Sequence, residues 1–252
     1  MDRLQLDKNA KLTGRVYFKD EVMWLGLSGT GASFTFDGTK LVLKLKGDNI
    51  AVGDNPIDYA RIAVYVDGKR VVDEMINCAE KEVTVIDRTE NARSVVEIIK
   101  LSESPMSAVG IEAFAEGSAE ALPEKPLKIE FIGDSITCGY GVDDEDENHQ
   151  FTTATEDVTK AYAYKTAKAL DAEYSMFSAS GYGIISGYTE GDEPISEQTI
   201  PQFYCSYGFS RGNFAGTAPQ DIPWDFSKYI PQIIVINLGT NDDSYCRDYK
   251  DR

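Results

Sequence analysis

Alternation of apolar and polar positions runs through residues 1–122 with scarcely a break. Leu41, Leu43 and Leu45 alternate with Val42, Lys44 and Lys46, and Ile62, Val64 and Val66 run into Asp67-Gly68 before Val71-Val72. That period of two marks half-buried strands, and Asp-Gly between two of them marks a tight hairpin turn. Val83 and Val85, the run Val95–Leu101, and Val109, Ile111, Ala113 and Phe114 continue the pattern. An earlier pair, Val22–Leu27 and Ser33–Phe36, is joined by a Gly-rich turn. Many short strands without a helical repeat predict a β-sandwich of jelly-roll type over residues 1–122. The segment Gly117–Pro126, GSAEALPEKP, reads as a short linker with its two prolines and small residues. Beyond it the pattern becomes βαβ-like: a strand at Lys128–Ile132, a helix at Thr159–Leu170, strands at Glu173–Ser178 and Ile233–Leu238. Alternating elements of this kind predict a parallel α/β sheet over residues 127–252, so the chain is expected to hold two domains.

Composition narrows the function classes. The 252 residues carry a net charge of −17, with 42% hydrophobic and 27% charged positions, enough for real cores. So acidic a chain is a poor ligand for nucleic acid or an anionic membrane, both of which need basic patches. The N-terminus has no apolar stretch of signal-peptide length, and no run is long enough for a membrane helix. The expectation is a cytoplasmic protein, or a secreted one written without its leader. Cys78, Cys138, Cys205 and Cys246 are widely spaced, so no zinc site or disulfide framework is expected and the thiols read mostly as small buried hydrophobes. The acidic loop Asp143–Glu147 lacks the glycine and terminal glutamate of a calcium loop; neither a metal nor a cofactor is expected.

The chemistry concentrates at three strand ends. Lys128–Ile132 stops at Gly133-Asp134-Ser135, Glu173–Ser178 at Ser180-Gly181-Tyr182-Gly183, and Ile233–Leu238 at Gly239-Thr240-Asn241-Asp242. Each alone is an ordinary turn or cap. Neighbouring parallel strands, however, bring their carboxyl-terminal loops to one edge, where open α/β sheets bind ligands. There Ser135 Oγ could attack an acyl carbon. The N–H groups of Ser135 and Gly181 and the side-chain amide of Asn241 could then receive the oxyanion. Gly183 is the alternative to Gly181. Gly208–Gly212 (GFSRG) matches the nucleophile elbow of α/β-hydrolases but lacks its strand-to-helix setting, and is set aside.

The stretch FIGDSITCGYG, with SGYG and GTND behind it in that order, resembles the conserved blocks of the SGNH (GDSL-type) hydrolases. Its ITCGYG continuation, together with FTTAT at Phe151–Thr155 and WDFSKYIP at Trp224–Pro231, is similar to the family 2 carbohydrate esterases. The resemblance covers both halves. It implies a jelly roll packed on an SGNH-type domain, Ser135 as nucleophile, Gly181 and Asn241 as oxyanion donors, and removal of O-acetyl groups from xylan- or mannan-type saccharides. It also implies a base histidine near the end of the domain. The single histidine, His149, precedes the third block and reads as a solvated loop residue, so the SGNH domain is expected to be shortened at its C-terminal end. The competing expectation is a carbohydrate-binding protein with an incomplete site. Its platform would be the aromatic loop Tyr204, Tyr207, Phe209 and Phe214; Trp24 and Tyr59 in the sandwich read first as core aromatics and only second as a platform. A lipase is disfavoured because no long apolar run offers an acyl-chain channel.

Overall fold

In the computed structural model, which describes residues 1–247, the first half of the chain is β1 (Asp2–Leu4), α1 (Leu6–Asn9), β2 (Lys11–Thr13), β3 (Val16–Lys19), β4 (Val22–Leu25), β5 (Gly31–Gly47), β6 (Ala60–Val66), β7 (Lys69–Ile76), β8 (Glu80–Lys100) and β9 (Val109–Ala121). They form one nine-stranded antiparallel network in the order β3-β4-β9-β5-β8-β6-β7, with β1 added on β9 and β2 on β5. The β6–β7 hairpin turns on Asp67 (φ 50°) and Gly68 (φ 78°). Positive φ at both central residues is the turn whose twist matches the strands, and Asp-Gly supplies it at low cost.

Several predicted strands merge. Ser33–Phe36 and Leu41–Leu45 lie on the single strand β5, with a register irregularity between Gly38 and Lys40. Val83–Val85 and Val95–Leu101 likewise share β8, apart from Leu101 itself. Gly38 and Gly117 face each other at the bend, where a side chain on either would collide with the other strand's backbone. Glycine therefore lets two long strands turn a corner without ending. The pair predicted around the Gly-rich turn is not a hairpin: β9 lies between β4 and β5. The first part of the predicted linker is also strand, because Gly117–Ala121 pairs with Phe34–Gly38.

The second half contains β10 (Lys128–Gly133), α2 (Ser135–Cys138), α3 (Tyr162–Ala169), β11 (Glu173–Ser178), α4 (Ile200–Phe203), β12 (Ile233–Asn237) and α5 (Thr240–Cys246). Its parallel sheet has the order β11-β10-β12, so the strand leading to Ser135 is central. β12 lies at one edge with Ile234 and Ile236 55% and 64% exposed.

The antiparallel network encloses its own core, including Phe34, Phe36, Leu43, Ile62 and Ile111. A second cluster joins the halves: Ala63, Ile99 and Leu101 pack with Phe131, Val158, Ala163 and Met176. Arg15, fully buried, reaches across as well. It donates to the carbonyls of Tyr204 and Ser206, both at 2.6 Å, and lies 3.5 Å from the Glu130 carboxylate on β10. Its guanidinium stacks 4.4 Å from the Phe177 ring centroid and 4.7 Å from that of Tyr204. Burial pulls the Arg15 pKa down, while Glu130 opposes that pull. Among the described residues, no helix is long and apolar enough to cross a membrane.

Candidate active site

Register fixes where the three loops begin. Gly133 of β10 is level with Ser178 of β11 and Asn237 of β12, so Ser135, Gly181 and Asn241 follow strand ends on the same edge. At Gly133 a side chain would collide with that of Thr137, so only glycine allows the chain to double back this tightly into α2. Asp134 caps that turn: its carboxylate accepts the Ile136 N–H at 3.1 Å. Burial raises the Asp134 pKa, with the Ile136 N–H acting against it. Ser135 is half-buried at the start of α2, and the next residue is exposed, so the serine lies at the surface edge of the sheet.

The third loop holds the second. Asn241 is buried, and its Nδ2 donates to the Tyr182 carbonyl at 2.8 Å. Beside it, the Asp242 carboxylate accepts three consecutive backbone N–H groups, those of Ile184, Ile185 and Ser186, at 2.6–3.1 Å. Burial works to raise the Asp242 pKa, but these donors prevail and hold it below the ordinary carboxylate value. The two candidate glycines differ sharply. Gly183 is packed so closely that a side chain would meet Ser186 and Asp242, and its N–H is spent on the Gln198 carbonyl. Gly181 adopts φ 78° with open space where a side chain would stand. Of the pair, only Gly181 borders open space.

Two residues outside the predicted set shape these loops. Asp242 belongs to a block already singled out, and its position next to Asn241 was the available signal. Glu103, in the segment after β8, has no comparable signal. Its buried carboxylate crosses between the halves to accept the Ser180 N–H at 2.5 Å, one residue before Gly181.

Beside α2, Tyr140 and Phe151 stack with ring centroids 3.8 Å apart and line a hollow of about 510 Å³ also bordered by Asp144 and His149. His149 is exposed. Its Nδ1 lies 2.8 Å from Asp144 and its Nε2 3.8 Å from Asp146.

Trp24 is 5% exposed and stacked on Phe214, so it is core, as the strand position suggested, and offers no sugar platform. Tyr207, Phe209 and Phe214 of the aromatic loop are buried too, because that loop folds back onto the antiparallel half; the Tyr207 hydroxyl donates to the Trp24 carbonyl. Of the cysteines only Cys138 is buried, whereas Cys205 is exposed. Ser210 of the GFSRG stretch is buried, its hydroxyl donating to the Met106 carbonyl.

Residues 12–126 match the carbohydrate esterase 2 N-terminal family. The chain is 32% identical over 218 residues to the cellulase/esterase CelE of Acetivibrio thermocellus, covering 85% of this chain and 24% of that protein. It is 29% identical over 243 residues to an acetylxylan esterase / glucomannan deacetylase of Cellvibrio japonicus, covering 94% of this chain and 62% of the relative. A solved family two carbohydrate esterase from Clostridium thermocellum in complex with cellohexaose superposes with a TM-score of 0.76 at 29% identity, over 93% of this chain and 67% of that one. The acetyl xylan esterase Est2A of Butyrivibrio proteoclasticus, at 21% identity, shares the fold with a TM-score of 0.81 over 97% of this chain and 66% of that one. N-terminal domain, relatives and fold agree: the chain is similar over nearly its whole length to the family 2 carbohydrate esterases.

Proposed function

We propose that this protein is a serine esterase that removes O-acetyl groups from plant-type saccharides of the xylan and mannan kind. The observation that carries the reading is the common edge reached by the ends of β10, β11 and β12. In this reading Ser135 Oγ attacks the acetyl carbonyl and forms a tetrahedral intermediate. The N–H groups of Ser135 and Gly181 and the Asn241 side-chain amide stabilise its oxyanion. Asn241 suits the role because its amide carries two protons: one fixes the Tyr182 carbonyl, and the other remains for the substrate. Collapse of the intermediate expels the sugar hydroxyl and leaves acetyl-Ser135, which water then hydrolyses. The named activities of the relatives support acetylated saccharides as the substrate class.

A base must take the Ser135 proton. We assign it to a histidine beyond Arg252, because the chain's single histidine, His149, has its ring between carboxylates of its own loop. The exposed apolar edge of β12 supports further strands of the same sheet beyond that point. The antiparallel half, residues 1–122, is read as a jelly roll, and residues 127–252 as the hydrolase domain.

Chemical rescue tests this directly. Acetate release from 4-nitrophenyl acetate and acetylated xylan is measured for the chain with and without added imidazole, each against Ser135→Ala. Imidazole should accelerate the wild-type reaction above the Ser135→Ala background. Equal rates for the two proteins at every imidazole concentration would remove Ser135 as nucleophile.

A second reading, sugar binding without turnover, draws on a solved relative described as showing divergent catalytic and non-catalytic binding functions at its active site, at 26% identity and a TM-score of 0.71. Calorimetric binding of cellohexaose to a chain inactive even with imidazole would favour it.

A further inference from the structure

Between the two halves lies a buried polar cluster that the proposed reaction does not use. Glu103, Cys138 and Glu156 are each 0% exposed. One ligand-type atom from each lies within 4.8 Å of the others. The three residues come from three places: the segment after β8, the last residue of α2, and the loop before α3.

Existing hydrogen bonds leave part of this cluster unsatisfied. Glu156 accepts the Glu103 N–H through Oε2 at 3.0 Å, and Glu103 accepts the Ser180 N–H through Oε2. The Cys138 thiol lies 3.8 Å from Glu103 Oε2 and 3.3 Å from Ser178 Oγ. Among the described residues, Oε1 of Glu103 and Oε1 of Glu156 have no hydrogen-bond partner. The fully buried Lys100 ammonium is not spent on them. Lys100 Nζ donates to the carbonyls of Ser102 and Glu103, at 2.6 and 3.0 Å, and to the Ser102 hydroxyl at 3.3 Å. Buried carboxylate oxygens without partners are costly, and a buried charge is tolerated only when paired.

Charge points the same way. With both carboxylates ionised, Lys100 protonated and the thiol neutral, the cluster holds one uncompensated negative charge away from water. A divalent cation that also displaced the thiol proton to solvent would bring the four groups and the ion to neutrality.

We propose that Glu103, Cys138 and Glu156 form a structural site for a divalent cation of the zinc class. A thiolate with two carboxylates suits a borderline-soft ion and disfavours calcium or magnesium, which take oxygen ligands alone. The bound ion would join the antiparallel half to the helix that begins with Ser135. In the binding step, the Cys138 S–H bond breaks, its proton passes to solvent, and the sulfur donates a lone pair to the metal. No redox change is involved.

Cobalt substitution tests the site without reference to esterase activity. The full chain is unfolded with chelator, then refolded with Co²⁺, since a buried site can be slow to load in the folded protein. The expected result is a thiolate-to-cobalt charge-transfer band that saturates at one equivalent and is displaced by Zn²⁺. Cys138→Ser should abolish the band while Cys78, Cys205 and Cys246 remain. Circular dichroism verifies that the variant folds. Glu156→Gln retains the thiolate and provides the second arm. Outer-shell substitutions alone cost about 10–100-fold in metal affinity, so it should weaken Co²⁺ binding at least about tenfold. The absence of a band in the refolded wild type, its persistence in Cys138→Ser, or unchanged affinity in Glu156→Gln would each overturn the assignment.

Discussion

At the scale of single residues, the third loop acts mainly by holding the second. Asn241 and Asp242 are adjacent, yet one fixes a carbonyl and the other collects N–H groups from the same loop. Asn241→Ala should lower kcat by about 10²-fold with KM little changed, as expected when an oxyanion donor is lost. Kinetics with saturating imidazole provide the measurement, and a change confined to KM would make Asn241 a substrate-binding residue. For Asp242, folding depresses the carboxyl pKa, so its stabilisation is fully present above the unfolded-state value and is lost as pH falls through the folded-state value. The melting temperature of wild type should therefore fall more steeply below about pH 4 than that of Asp242→Asn. Parallel pH dependences would contradict this. The blocks Gly-Asp-Ser and Gly-Thr-Asn-Asp were legible because their chemistry lies in short runs at strand ends. The choice between Gly181 and Gly183 became physical only with the backbone: one N–H is engaged and the other glycine borders open space.

At the scale of elements, strand positions were readable from period-two alternation, but their continuity was not. Gly38 and Gly117 look like strand breaks in sequence, whereas each permits a close crossing that keeps its strand intact. The predicted strands Glu173–Ser178 and β11 coincide because that stretch is buried on both faces and flanked by clear turn residues. The other consequence at this scale is β12. An edge strand with an apolar face invites pairing with another chain. The wild-type chain should self-associate in a concentration-dependent way, and Ile234→Lys with Ile236→Lys should return it to a monomer. Sedimentation velocity distinguishes the cases; a monomeric wild type at high concentration would refute the edge as an association surface.

At the scale of the whole molecule, the halves are joined by groups that composition and periodicity hide. Nothing in Lys11–Val16 marks Arg15 as fully buried, because the partners that make burial tolerable lie in Glu130 and the segment around Tyr204. Arg15→Ala would leave the buried Glu130 carboxylate with the Tyr204 hydroxyl but without its cation, and breaking a buried pair from one side costs about 3–5 kcal/mol. Denaturant unfolding should register a loss of that order, with Arg15→Lys recovering only part of it because an ammonium cannot reproduce the stacked, forked contacts. A loss below about 1 kcal/mol, as for exposed pairs, would refute the role.

The reach of Arg15 also has a consequence in time. Ribosomes release the antiparallel half first, with Arg15 near its beginning and its acceptors at Tyr204 and Ser206 far downstream. During synthesis the guanidinium must wait, solvated, until those carbonyls emerge. Closure of the joint is thereby a late event that follows translation of most of the chain. In refolding experiments followed by amide exchange, the strands around Phe34, Phe36 and Leu43 should be protected before the Tyr204–Ser206 segment, and Trp24, which Phe214 covers, should be buried only with that later phase. Replacing Arg15 should then hasten unfolding far more than it slows the first phase of folding.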